Sequence, residues 1–593
     1  LPAPADLRLL AVSTALALGV LACAGPAAAS ARSGPGKVPA GPGSAAKRGG
    51  PKRLDVVLGL DRRQGALERF ALRVSDPDSA LYGGYLRPRR VGLRFGASDA
   101  TVRGVLRYLH RHRIRGRLDI TRSFVEALVP VRRSRRLFGG PSGQPRVPRA
   151  LRGKVHEVLL GQAGGDQFLP GPRRAGAGSS RVLATASARL APPHARTGTP
   201  SGCPQGRNAT FSYRSAGGPL AGPAFTPNQL QDAYGATPLH VAGIDGRGVR
   251  VGIYAASGTG FRELRVYARC FGFQAPRTRL VKIGRRNVGP TNGEAALDLQ
   301  MVALMAPGVE SLTVYSNGST HFPVNFSAML DPRNGPIPNV VSVSLGECET
   351  GTGRAEVRLS EHVLAAAAGA GVTFAAGSGD NGSFCPDGPN RGFYPGSSAW
   401  LTSVGGAAFS LDPSNRIVEE IPWNDESIAL RLGLGGGGGF SRFLLRPPYQ
   451  RGLGGWGDRR GYPDVALLAD SYPGIAIYCK ENKQGNCDAS LPGNPFIAGF
   501  GTSAAGPLFA GIVALVDQRL RAAGQPPLGF ANPLLYRLGR AGGRGALRDI
   551  VTGSNSVFWK TCCKAAPGYD RASGWGSVNA AGLAAAALRS GPG

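Results

Sequence analysis

Hydrophobic spacing divides this chain into two parts. Leu54-Asp55-Val56-Val57-Leu58-Gly59-Leu60 alternates as a strand does, and a helical stretch follows it. Val74 to Leu86 is a turn-rich segment. Ala100 to His112 reads as a helix, with apolar residues at Val102, Val105, Leu106 and Leu109. Ile120 to Val131 reads as a strand. Together these predict a small α+β domain ending near residue 160. A larger domain runs from about Ala224 to Leu588. Its strands are short apolar runs at Val249–Tyr254, Val309–Tyr315, Val340–Ser344, Val372–Ala376 and Ile475–Tyr478, with helical runs between several of them. Strands alternating with helices predict a parallel sheet of the α/β class. Residues 31–52 and 163–205 are rich in Gly, Pro and basic residues with little periodicity, as a flexible leader and a protease-exposed linker would be.

At 593 residues the chain is longer than one core usually serves. Its net charge of +33 raises the question of nucleic acid. The distribution answers it. Residues 31–200 hold 34 Lys and Arg against 10 Asp and Glu, so most of the excess lies ahead of the larger domain. No basic stripe interleaved with aromatics accompanies it, and no nucleic-acid partner is expected. Residues 1–30 read as an export signal: Arg8, the apolar run Leu9 to Ala24, and the small residues Ala27-Ala28-Ala29. No later segment is apolar enough to span a bilayer. A secreted, extracellular protein with no membrane contact after signal removal is the expectation. Beyond Cys23 eight cysteines remain, none in Cys-x-x-Cys spacing, so disulfides are expected and a zinc site is not. Cys479 and Cys487 could close a short loop. Adjacent Cys562 and Cys563 are expected to bond to different partners, with Cys385 and Cys348 as candidates.

Three local patterns carry chemistry. Gly501-Thr502-Ser503-Ala504-Ala505-Gly506-Pro507 leads into the apolar run Leu508 to Val516. That places the Ser503 hydroxyl at a helix N-terminus, where developing negative charge is favoured. An ordinary N-cap serine would look the same. A nucleophilic serine needs a base, and none of the larger domain's histidines, His240, His321 and His362, sits in an obvious catalytic turn. Gly293 to Ala306 supplies another candidate, a helix stopping before Pro307 with Glu294 and Asp298 on one face. Its other residues are mostly apolar, so two like charges are buried together, which is costly unless they share a proton or face a polar site. Ala375-Ala376-Gly377-Ser378-Gly379-Asp380 puts a carboxyl just beyond a strand, where α/β sheets build their sites.

In this joint order the motifs resemble the sedolisins, or serine-carboxyl peptidases, whose fold is subtilisin-like. Thr226-Pro227-Asn228-Gln229-Leu230, Ser342-Val343-Ser344-Leu345-Gly346, Phe393-Tyr394-Pro395-Gly396 and Gly438-Gly439-Phe440-Ser441 match in the same order. Residues 53–140, notably Val74 to Leu86, resemble the family's activation propeptide of the kumamolisin type. The resemblance implies a signal at 1–30, a leader at 31–52, a propeptide at 53–162, a linker with the processing site at 163–205, and a catalytic domain at 206–593. It implies Ser503 as nucleophile, Glu294 as general base, Asp298 orienting the Glu, and Asp380 as oxyanion partner. Ser344 and Gly346 would bind substrate, though Leu345 stands where a Trp is often found. One structural calcium ion would be held by Asp549, Ile550, Ala566, Gly568 and Asp570, with Ala566 replacing a usual Gly. The implied protein is a monomeric zymogen whose propeptide is inhibitor and chaperone. It would cleave proteins or peptides internally through an acyl-enzyme, or, as the alternative, release tripeptides; a catalytically inactive peptide-binding relative is a third reading. A protonated Asp380 and a Glu base both favour acid operation. Acid is also expected to release the basic propeptide by neutralising its carboxylate partners.

Overall fold

In the computed structural model, the two-faced apolar run at residues 54–60 becomes the strand Arg53–Leu60. The structure describes residues 53–139, 144–161 and 198–590, apart from breaks at 211, 214–217, 220–222, 257, 284–292, 317–320, 386–387, 390–391, 426–432, 455–456, 480–493 and 558–561. The expected signal, the leader and most of the linker lie outside the described residues. Arg53–Leu60 pairs antiparallel with Phe124–Pro130 on one side and Val155–Leu160 on the other, and Gly116–Leu118 completes a four-stranded sheet. Val56, Leu58 and Leu60 face this domain's own core, with Val105 and Leu109 of the helix Asp99–Arg111. Val57, Phe124 and Leu159 face the other way. They join one hydrophobic cluster with Leu359 and Val363 of the helix Arg354–Gly369. The strand is apolar on both faces because a second domain covers the outer one.

The larger domain is built on the strand order Ile417–Pro422, Thr402–Leu411, Thr373–Gly377, Val340–Val343, Arg250–Ala255, Ser311–Ser316 and Thr278–Lys282, with Val465–Leu468 also pairing Thr402–Leu411. All pairings are parallel except that of Ile417–Pro422. The α/β fold, a subtilisin-like catalytic domain behind a small α+β domain, is the one expected, with a sheet that is mixed at one edge. Ile475–Tyr478 is a correction. It stands outside the parallel sheet in an antiparallel pair with Phe496–Gly499. Two buried helices cross beneath the sheet's ends, Gly293–Met305 and Thr502–Ala522. At their crossing a Cβ on Gly511 would lie 2.5 Å from Met305 Cβ, so only glycine lets the backbones approach so closely.

Composition placed residues 198–205 in the linker, but the structure fastens them to the larger domain. The Thr199 amide donates to Asn415 Oδ1 at 2.7 Å, and Cys203 is disulfide-bonded to Cys270. Cys348 is bonded to Cys385, while Cys562 and Cys563 are paired with each other and with neither of those. Cys479 is also disulfide-bonded; Cys487 lies outside the described residues.

The turn-rich segment at 74–86 is a docking element. The Tyr85 hydroxyl donates to the Leu528 carbonyl at 2.8 Å. Its ring lies over Gly371 and Gly529, where added Cβ atoms would come within 2.6 and 2.4 Å of it. The Leu86 amide donates to the Gly369 carbonyl at 3.1 Å. Replacing Tyr85 with Ala removes a half-buried ring and leaves a carbonyl unpaired, which should cost roughly 2 kcal/mol of docking. Faster trypsin cleavage of the N-terminal domain at neutral pH, with unchanged cleavage of the larger one, is the expected result.

Candidate active site

The site is assembled from the C-terminal ends of strands and the N-terminal ends of two helices. Gly501, with φ +91°, caps the helix Thr502–Ala522, and Ser503 sits inside the first turn. Ser503 is therefore not the cap. A Cβ on Gly501 would stand 2.8 Å from Asp380 Oδ2, so the glycine both supplies the left-handed turn and makes room for that carboxyl. Asp380 Oδ1 accepts from the Thr502 amide at 2.7 Å and from the Thr502 hydroxyl at 2.8 Å. The same hydroxyl accepts from the Gly379 amide at 3.0 Å. Thr502 thus locks the turn that carries Asp380 onto the turn that carries Ser503. The sequence reading did not assign it a role, although it lies inside the Gly-Thr-Ser run.

Pro507 contributes by what it lacks. Without an N–H it leaves the carbonyl four residues back, that of Ser503, without its helical donor. The Ser344 hydroxyl lies 3.3 Å from that oxygen and 2.6 Å from Asp298 Oδ1. Ser344 stands just past the strand Val340–Val343 and so ties both helices to the sheet. Its own carbonyl accepts from the Ser503 hydroxyl at 3.4 Å. A Cβ on Gly346 would lie 2.4 Å from the Phe393 ring and 2.7 Å from the Tyr394 carbonyl, so this segment must pass close against Phe393–Tyr394.

Glu294 and Asp298 lie one turn apart on Gly293–Met305, as the spacing predicts, and Asp298 is fully buried. Burial pushes the Glu294 carboxyl up to about 7, against the Ser503 hydroxyl, and Asp380 adds to the push. Asp298 is driven well above its usual range by burial and then by Glu294, against the Ser344 hydroxyl. Burial thus favours the neutral form of both carboxyls, and the charge of Glu294 adds to the effect at Asp298. Burial also raises Asp380, against its two bonds from Thr502. Two more buried carboxyls stand nearby without any signal in the sequence. Asp425 is raised to about 6 by burial, against the Ser471 hydroxyl that donates to it at 2.5 Å, with Asp380 among the groups raising it. Asp470 is raised further, by burial and by Asp425.

The proposed metal ligands gather elsewhere, on one loop. Asp549 Oδ2 accepts from the Gly568 amide at 2.6 Å. Asp570 Oδ2 accepts from the Ala566 amide at 3.0 Å, and its Oδ1 accepts from the amides of Ala572 and Ser573. Ile550 is buried beside Asp549. Burial raises Asp570 to about 6 and Asp549 upward, and both are opposed by backbone amides rather than by cationic side chains. Carboxylates and backbone carbonyls are hard-oxygen donors of the kind that suits calcium. Among the described residues no group of three or more His, Cys, Asp or Glu side chains converges on a metal-sized space. No helix there is long and apolar enough to cross a membrane.

Residues 46–142 match the pro-kumamolisin activation domain. Kumamolisin of Bacillus sp. (strain MN-32) is 30% identical over 63% of this chain, and the chain spans 65% of its length. Tripeptidyl-peptidase 1 of Pan troglodytes is 29% identical over 87% of this chain and 89% of its own. The solved Pseudomonas sedolisin, a serine-carboxyl proteinase, superposes with a TM-score of 0.51, covering 61% of this chain and 97% of that one at 24% identity, a likeness of fold. These likenesses are to serine-carboxyl peptidases of the sedolisin–kumamolisin kind, with a matched activation domain at the N-terminal side of a subtilisin-like fold.

Proposed function

We propose that this protein hydrolyses peptide bonds by an acyl-enzyme route on Ser503, and is made as a zymogen whose residues 53–161 are the activation domain. The observation that carries the reading is the convergence of Glu294, Asp298 and Asp380 on Ser503 with no histidine among them. Ser503 Oγ attacks the scissile carbonyl carbon while its proton passes to Glu294. The oxyanion that forms takes a hydrogen bond from the protonated Asp380 carboxyl. Collapse breaks the C–N bond, and the leaving amine takes the proton from Glu294. Water then repeats the sequence on the acyl-enzyme and restores Ser503. Asp298, held by Ser344, keeps the second proton of the pair and orients Glu294. Ser344 and Gly346 line the edge along which a peptide would lie.

Tripeptidyl-peptidase 1 recurs among the relatives from several mammals, and this supports release of N-terminal tripeptides over the internal cleavage expected from sequence alone. The apolar run Leu9 to Ala24 and the bonds Cys203–Cys270 and Cys348–Cys385 support export to an oxidising compartment. Calcium on Asp549, Asp570 and the carbonyls of Ile550, Ala566 and Gly568 would brace the loop behind the sheet.

Ser503→Ala should lower kcat by about 10⁵–10⁶-fold without unfolding the helix, since Ser503 caps nothing. Peptides with free and with acetylated N-termini, assayed side by side, separate tripeptide release from internal cleavage. Activity requires Glu294 without its proton and Asp380 with one, so it falls below the lower and above the higher of the two pKa values. Asp380→Asn keeps a neutral donor at every pH. The alkaline limb of kcat/KM against pH should therefore disappear, whereas Asp380→Ala should cost about 10²–10³-fold throughout. Chelation should lower the Tm of the purified protein by several degrees, and added calcium should restore it. A Tm indifferent to both rules the ion out.

A further inference from the structure

The interface between the activation domain and the helix Arg354–Gly369 brings together an unusual set of bases, one of them buried and two half-buried. His156, on the strand Val155–Leu160, faces His362 on the helix, with ring centroids 5.3 Å apart. His362 is 7% exposed. Neither His156 Nε2 nor His362 Nδ1 has a hydrogen-bond partner among the described residues, and the same holds for Nε and Nη2 of half-buried Arg62. A Cβ on Gly59 would lie 3.3 Å from His156 Nε2 and 3.4 Å from a Leu359 methyl, so the ring edge is closely packed on that side.

The charges facing the two rings come from both domains. From the activation domain they are Arg62, Asp61, which lies 3.4 Å from His156 Nδ1, and Glu157. From the helix there is Arg358, which bonds Glu157 at 2.8 Å. Arg62 is itself faced by Asp119 and Glu68. Burial lowers the His362 imidazole well below its ordinary range, and Arg62, His156 and Arg358 lower it further. Burial likewise lowers His156, with Arg358 and Arg62 adding to the effect and Asp61 opposing it.

We propose that His156 and His362 are an acid latch: as neutral rings they let the activation domain dock, and when both are protonated they force it off. The sign follows from linkage. A base whose pKa is lowered in the docked form binds fewer protons there than when released, so docking is full above its free pKa, near 6.5, and is lost as pH falls below it. Each ring contributes up to tenfold per pH unit, until the docked form itself takes up the proton.

The expected neutralisation of carboxylates gives a poorer account. Among the described residues the interdomain pairs are Arg117–Asp331, Arg358–Glu157 and Arg537–Asp78, and in two of these three the carboxylate belongs to the activation domain. Burial raises Glu157 and Glu126 in the docked form, so protonating them in acid favours docking. Asp331 is lowered, burial opposing, chiefly by Arg333 of its own domain.

The proposal rests on residues 53–161 being the activation domain, but its test does not rest on peptidase activity. Small-angle X-ray scattering of the full chain carrying Ser503→Ala, from pH 7.5 to 3.5, reports release as an increase in maximum dimension. Expansion should begin below pH 6.5. In the double variant His156→Gln, His362→Gln its midpoint should fall by at least one pH unit, with the same compact dimension at pH 7.5. An unchanged midpoint overturns the latch. Should the double variant fail to dock at pH 7.5, exchange of the imidazole C2 hydrogens, followed by mass spectrometry in the Ser503→Ala chain, decides. Both rings titrating at their free values while docked would overturn the proposal; titration well below those values supports it.

Discussion

Two carboxyls one turn apart on an apolar helix are the constraint around which this molecule is arranged. Ionised together in a dry interior, Glu294 and Asp298 would repel each other and lose their hydration. Burial favours the neutral form of each, and a hydroxyl opposes it at each, Ser503 at Glu294 and Ser344 at Asp298. That arrangement fixes much else. Asp298 needs a donor, so Ser344 must stand at the end of its strand. Ser344 also lies over the Ser503 carbonyl that Pro507 left free, so the nucleophile's helix is held by the contact that serves the acid pair. Gln300, on the same helix, exchanges two hydrogen bonds with the Tyr478 backbone and anchors the helix to the hairpin beside the parallel sheet.

The parts that were legible in sequence have a local cause. Pro307 ends the helix Gly293–Met305, and the i, i+4 spacing sets the two acids on one face. Gly501 marks the turn into Ser503 because no other residue fits beside Asp380. The parts that were not legible depend on distant partners. Ile475–Tyr478 is buried throughout, as a parallel core strand would be, because the helix carrying Gln300 and the Phe496–Gly499 strand cover it. Thr278–Lys282 is an edge strand, half exposed and carrying Arg279 and Lys282, so it lacks the apolar run that marks its neighbours. Residues 199–203 have no periodicity and are held by Asn415 and the Cys203–Cys270 bond, neither of which is near in sequence. Asp425 and Asp470 are 45 positions apart and meet only through folding.

The excess of positive charge takes on a physical meaning at the domain interface. Most of it lies ahead of the larger domain, yet the two domains are not held chiefly by opposite charge. Their common surface is apolar, running from Val57, Phe124 and Leu159 to Leu359 and Val363. Such a surface is indifferent to pH. Sensitivity to acid must come from the few titratable groups buried within it, and there His156 and His362 have the opposite sign to Glu126, Glu157 and the Glu356-paired His321.

The active site faces the complementary problem. Its base must lose a proton and its oxyanion donor must keep one, although burial pushes both carboxyls upward. If Glu294 holds its proton more tightly than Asp380, the productive state is a minority at every pH. The rate then peaks between the two values without ever using the whole population. Proton affinity at Glu294 and Asp380 thus has to be set by differential burial and by hydroxyl neighbours. Ser503 lowers one and Thr502 lowers the other, and these two residues are adjacent on a single helical turn. The geometry that positions the nucleophile is therefore also the geometry that sets the proton inventory it works with.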